Sequence, residues 1–221
     1  WSSDVCSSDL CKDEQLNIYF VRHGETLWNK EEKIQGELDS PLTLNGIEDI
    51  QKLAENLGQI KFDEVYSSEL GRAYETALIL SNGRHRIKRM KEFNEKNFGD
   101  WQGMEIKEIY RKYPVQAEFY FNDIKNYNSK EINAESLEHA LRRFVSGVKK
   151  IEKSVRNGNV LVVSHGTILK LFFNYIDNKD INELNEKDLM ENTSFRVLKY
   201  CGRNMVQNSR PAEEILSSNK T

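Results

Sequence analysis

Ile18-Tyr19-Phe20-Val21-Arg22-His23-Gly24 runs from four apolar residues straight into a guanidinium, an imidazole and a glycine. Such an apolar run reads as a buried strand, and the polar triplet marks where it gives way to a loop. In open α/β sheets ligands sit at the carboxyl ends of the strands. An imidazole beside a fixed positive charge at that place therefore points to a site rather than a core position. Three residues are a short match, which a satisfied structural histidine also explains, so the rest of the chain carries the decision.

Outward from this run, apolar stretches and amphipathic stretches alternate in a βαβ manner, which implies a mostly parallel sheet covered by helices. Strands are expected at Leu16 to Arg22, Phe62 to Ser67, Ile87 to Phe93 and Val160 to Ser164, with later ones at Ser194 to Tyr200 and Met205 to Asn208. Thr43 is placed as an N-cap; Leu44, Ile47, Ile50, Leu53, Ala54 and Leu57 then recur at helical spacing until Gly58. Glu69 to Leu80 reads as a second helix, Leu137 to Val155 as a long amphipathic one, and Ile168 to Phe173 begins another. The polar, aromatic-rich region from about 101 to 133 reads as a small helical cap inserted over the sheet. The expected architecture is a three-layer α/β/α sandwich around a mostly parallel sheet, with one domain over 16–208 and a loosely ordered tail over 210–221. Residues 1–10 are polar, lack either periodicity, and resemble a translated sequencing-adapter remnant, so fold reasoning leaves them aside.

Composition bounds the rest. The chain has 221 residues, 38% hydrophobic and 30% charged, enough for one well-filled core and too few for two large domains. A formal net charge of -3 gives no global basic field, so nucleic-acid binding has little electrostatic support. No run of about 18 apolar residues and no leader pattern is present, so the cytoplasm is the expected location and no membrane partner is expected. Cys6, Cys11 and Cys201 show neither metal-ligand nor disulfide-framework spacing and receive no role. Oligomeric state is not legible.

On this strand map His23 follows the first strand, Ser67, Ser68 and Arg72 the second, Glu95 the third and His165 the fourth, so one sheet edge gathers two imidazoles, two guanidiniums and a carboxyl. Here the chain resembles the histidine phosphatase superfamily, the phosphoglycerate-mutase-like enzymes. The matching segments are Val21 to Asn29, Gln35 to Thr43, Ser67 to Ala77, Glu95 to Gly103 and Val163 to Gly166, in the family's order.

The resemblance implies a phosphomonoester hydrolase of the phosphatase branch, acting on small phosphorylated metabolites. Arg22, Arg72 and His165, with Asn29 as a neutral donor, would offset the charge of the phosphoryl dianion. His23 would attack phosphorus through a neutral ring nitrogen to give a phosphohistidine, its other nitrogen held by a hydrogen bond. Glu95 would protonate the leaving oxygen and later activate water. Glu92 lies three residues away on the same polar stretch, and only alignment to Phe98-Gly99-Asp100-Trp101 favours Glu95. Gly24 and Gly166 are expected to relieve backbone crowding. No metal site and no cofactor are expected.

Two other readings stay open. A mutase moves the phosphoryl group between hydroxyls, but the glycolytic mutases resemble one another in carrying asparagine where this chain has Thr167. A catalytically inactive phosphate-binding module would need the nucleophile or the acid to be lost. Glu135 and Ser136 receive no substrate role. Lys107, Arg111, Lys112, Lys125 and Lys130 in the cap are candidates for meeting a second anionic group, although such a run is more often a solvated face. His85 and His139 read as surface residues.

Overall fold

A computed structural model describes residues 15–185, 192–201 and 204–208. The adapter-like segment and the tail lie outside the described residues. The chain forms β1 (Gln15–Arg22), α1 (Leu27–Lys30), α2 (Leu44–Asn56), β2 (Glu64–Ser67), α3 (Gly71–Leu80) and β3 (Lys88–Arg89). Then follow α4 (Ile106–Lys112), α5 (Pro114–Asn122), α6 (Leu137–Ser154), β4 (Gly158–Ser164), α7 (Gly166–Ile176), β5 (Phe195–Cys201) and β6 (Asn204–Asn208). Among the described residues the strands make one sheet in the order β3-β2-β4-β1-β5-β6. β1, β2, β3 and β4 run parallel, β5 pairs antiparallel with β1, and β6 pairs antiparallel with β5.

The period of two along β1 divides the core. Leu16, Ile18 and Phe20 face one side, where they pack with Phe144 and Val148 of α6, Ile168 and Phe172 of α7, and the cap residues Trp101, Ile109, Ala117 and Tyr120. Val21 faces the other side, packing with Ile50 and Leu53 of α2 and Ala73 and Ala77 of α3. That division produces the expected three layers. It also shows that the cap shares one continuous buried cluster with the sheet and α6.

Local signals account for the helix ends. Thr43 accepts from the N–H of Gly46, and Ser136, which had no assignment, accepts from the N–H of His139 at the start of α6. The third strand departs from expectation. It shrinks to Lys88–Arg89, and Lys91–Phe93 form a 3-10 turn instead. Its partner β2 ends at Ser67, opposite Arg89, so no ladder continues, and Arg143 Nη1 of α6 instead donates to the carbonyls of Lys91, Glu92 and Asn94 at 3.0, 2.9 and 3.0 Å. Cys201 is disulfide-bonded, which the cysteine spacing did not announce. His85 is half-buried, with Nε2 3.0 Å from the Phe62 carbonyl, rather than a free surface residue.

Candidate active site

Register brings the strand ends level. Arg22 lies opposite Ser164, Ser67 opposite Val163, and Ser67 opposite Arg89. The ladder runs one step further through His23 N–H to the Ser164 carbonyl (3.0 Å) and Ser68 N–H to the Val163 carbonyl (3.0 Å). His23, Ser68 and His165 thus leave the sheet side by side, and the two histidine ring centroids are 5.1 Å apart. A cavity of about 400 Å³ opens at this edge, lined by Arg22, His23, Asn29, Arg72, Glu95 and Gly166 at its polar end. His165 is fully buried beside His23, next to the cavity rather than in its lining.

Nδ1 of His23 lies 2.7 Å from the Gly24 carbonyl, an acceptor only, so Nδ1 carries the proton and Nε2 keeps its lone pair. Burial, then Arg72, then Arg22 hold the His23 ring well below the ordinary imidazole range, so it is neutral at pH 7. His165 is depressed likewise, by burial first and then by Arg72 and His23. Its Nε2 is 2.7 Å from Ser68 Oγ, and its buried Nδ1 has no hydrogen-bond partner.

The guanidinium of Arg72 is fixed on three sides. Nη1 donates to the Leu38 carbonyl (2.7 Å) and to Asp39 Oδ1 (3.0 Å), Nη2 to the Gly36 carbonyl (2.8 Å), and Nε to His23 Nε2 (3.3 Å). The Asp39 carboxylate also accepts from the N–H groups of Gly71 and Arg72, the first turn of α3. Negative charge is favourable at that helix end. Arg22 packs its guanidinium on Gly166, where an added Cβ would come within 3.0 Å of Cζ and Nε. Gly24 is small because Ile50 of α2 lies 2.5 Å from where its Cβ would be. Close approach, rather than an unusual backbone turn, explains both glycines.

Glu95 is buried against the start of α7. Its Oε1 accepts from the N–H groups of Lys96 (2.9 Å) and Ile168 (3.0 Å), and its Oε2 accepts from that of Thr167 (3.0 Å). Glu92, its rival by sequence, instead pairs with Lys150 away from the cavity. Asn29 uses its amide oxygen for the Thr26 N–H (3.1 Å), the Thr26 hydroxyl (3.0 Å) and Asn192 (3.3 Å), which leaves the amide nitrogen to the cavity.

Sequence reasoning passed over Asp39, Ser68 and Arg143 as supports. Asp39 and Ser68 lay inside quoted segments, and Ser68, shortly before α3, carried a local signal, whereas Asp39 meets the start of α3 only through the fold. Arg143 gave none, since one arginine on an amphipathic helix looks like any other. The cap cations raised as candidates for an anion bear out the solvated-face alternative: Lys107 pairs with Glu105, Arg111 and Lys112 with Glu108, and Lys125 with Asp180. Neither they nor Lys130 line the cavity.

This geometry has counterparts. Residues 18–209 match the histidine phosphatase superfamily (branch 1), and the chain belongs to that family. It is 31% identical to the "uncharacterized phosphatase PhoE" of Bacillus subtilis over 164 residues, 74% of this chain and 78% of that one. Over 178 residues it is 32% identical to the "metal-independent phosphoserine phosphatase" of Arabidopsis thaliana, 78% of this chain and 72% of the relative. The solved structure of Bacillus stearothermophilus YhfR superimposes with a TM-score of 0.82 at 30% identity, covering 86% of this chain and 94% of that one. Relatives also include phosphoglycerate mutases, so membership establishes phosphoryl chemistry more coarsely than one reaction. Among the described residues, no helix is long and apolar enough to cross a membrane.

Proposed function

We propose that the protein hydrolyses phosphomonoesters of small metabolites through a phosphohistidine at Nε2 of His23. The observation that carries this reading is the His23 tautomer: with Nδ1–H committed to Gly24, an unprotonated nitrogen faces the cavity beside Arg72. Arg22, Arg72 and the Asn29 amide would hold the phosphoryl oxygens, and His165 would add a donor through Nδ1. The Nε2 lone pair then forms the N–P bond as the P–O bond to the alcohol breaks.

The departing oxygen needs a proton. Oε1 of Glu95 already accepts two N–H groups, whereas Oε2 accepts one, so Oε2 retains a lone pair for that proton. After the alcohol leaves, the Glu95 carboxylate takes a proton from water as the water oxygen attacks phosphorus. Phosphate departs and His23 Nε2 recovers its lone pair. Arg22 and Arg72 supply the positive charge that a metal supplies elsewhere, and we propose that activity is metal-independent. Among the described residues no three His, Cys, Asp or Glu side chains gather as metal ligands do.

Brief exposure to a labelled phosphomonoester followed by quenching should leave acid-labile label on His23 and none on His23→Ala. Undiminished turnover by His23→Ala would refute the reading.

A further inference from the structure

Beyond the phosphoryl-binding end, the cavity walls include Ile34, Phe98, Ile106, Tyr120, Phe121 and Leu184, the neutral polar Gln35 and Thr167, and two ammonium groups, Lys33 and Lys170. Lys33 is already neutralised by Glu31 at 2.7 Å. Lys170 is not. It lies one turn along α7 from Gly166, on the same face as Thr167, and among the described residues no carboxylate pairs with it. Burial lowers its affinity for a proton, and so does the neighbouring Arg22 guanidinium, so among the described residues its surroundings oppose rather than offset its charge.

A half-buried ammonium with no carboxylate partner is well solvated only while water reaches it. A ligand that fills this space displaces that water and must either bring a negative charge or leave the ammonium uncompensated. The phosphoryl dianion is matched by the two guanidiniums. We propose that Lys170 is the subsite for a second anionic group on the alcohol portion of the substrate, so that phosphomonoesters of acid-bearing alcohols are preferred over those of neutral ones. Ile106, Phe121 and Leu184 would flank a short carbon body between the two charges. The inference rests on the phosphatase reading, which names the first anion.

Two matched pairs test it: phosphoglycolate against ethyl phosphate, and O-phosphoserine against phosphoethanolamine. A bisphosphate of ethylene glycol replaces the carboxylate by a second phosphate. In the wild type, kcat/KM should favour the acid-bearing member by about 10-fold or more, the discrimination expected of one charge-assisted contact. Lys170→Met should collapse that ratio to near unity, and Lys170→Arg should keep it. Whether the carboxylate or the bisphosphate gives the larger ratio identifies which anion the subsite takes.

Calorimetric binding of phosphoglycolate and ethyl phosphate to His23→Ala, with and without Lys170→Met, reads the subsite without turnover. No preference in the wild type, or a ratio that survives Lys170→Met while both rates fall together, would overturn the subsite. No hydrolysis of any substrate, with the binding preference intact, would instead sink the phosphatase reading and leave the subsite standing.

Discussion

Arg72 Nε donates to His23 Nε2 across 3.3 Å, so the guanidinium sits on the very lone pair that attacks phosphorus in the proposed reaction. Binding of a phosphoryl group must draw that N–H onto an oxygen and release the nitrogen in the same motion. Three other bonds hold the fork while this happens. Lysine places its donors on a single nitrogen and lacks the planar fork that reaches Leu38, Asp39, Gly36 and His23 at once. Arg72→Lys should lower kcat/KM by about 100-fold or more, on the scale of losing a preorganised transition-state donor. Steady-state kinetics on a folded variant, checked by circular dichroism, measure it.

Glu95→Gln removes the proton and keeps one acceptor oxygen for the Lys96 and Ile168 N–H groups, while its amide NH2 cannot accept from Thr167. Alkyl phosphates should lose about 10²- to 10⁴-fold in kcat, while p-nitrophenyl phosphate, whose phenolate leaves unprotonated, should lose far less. Equal losses on both substrates would remove Glu95 from the acid role.

Arg143 never reaches the cavity, yet it joins the carbonyls of Lys91, Glu92, Asn94 and Glu95 to the carboxylate of Glu135. It positions the loop that carries Glu95, the proposed acid. Arg143→Gln should reproduce the leaving-group bias of Glu95→Gln at about a tenth of its size and lower stability by about 1–3 kcal/mol through the carbonyls it abandons. A purely structural role would lower both substrates' rates together.

Acid should destabilise the fold through its two buried imidazoles. Both are lowered in the folded state, so above about pH 6.5 neither state is charged and they contribute nothing. Below that pH the unfolded chain takes up protons that the folded rings refuse, and stability falls until the folded rings titrate. The melting temperature should therefore drop between pH 7.5 and pH 5 by more in the wild type than in His165→Gln. Parallel curves would show that His165 is not held neutral.

Gly166→Ala would bring a methyl group within 3.0 Å of the Arg22 guanidinium. Displacing that charge should raise KM for every phosphomonoester by about 10-fold while leaving the leaving-group bias unchanged, which separates phosphoryl binding from acid catalysis.

Much of this was legible from sequence because buried strands write themselves as apolar runs and parallel strands must end at one edge. Once β1, β2 and β4 were placed, His23, Arg72 and His165 had to converge. Glu95 was harder. Its strand is only Lys88–Arg89, and its placement depends on Arg143 and on the first N–H groups of α7, contacts between residues far apart in the chain. Lys170 and Asp39 were missed for a related reason: one looks like any helix lysine and the other like any loop aspartate until the fold brings a cavity wall or a guanidinium to them.

Phe98 and Tyr120 line the cavity and also belong to the buried cluster that holds the cap to the sheet. Selectivity and structural integrity are therefore drawn on the same two rings. Retargeting the enzyme by trimming either one would open the core along with the pocket, whereas Ile106, which lines the cavity outside that cluster, offers a position where substrate preference can be redesigned with little loss of thermal tolerance.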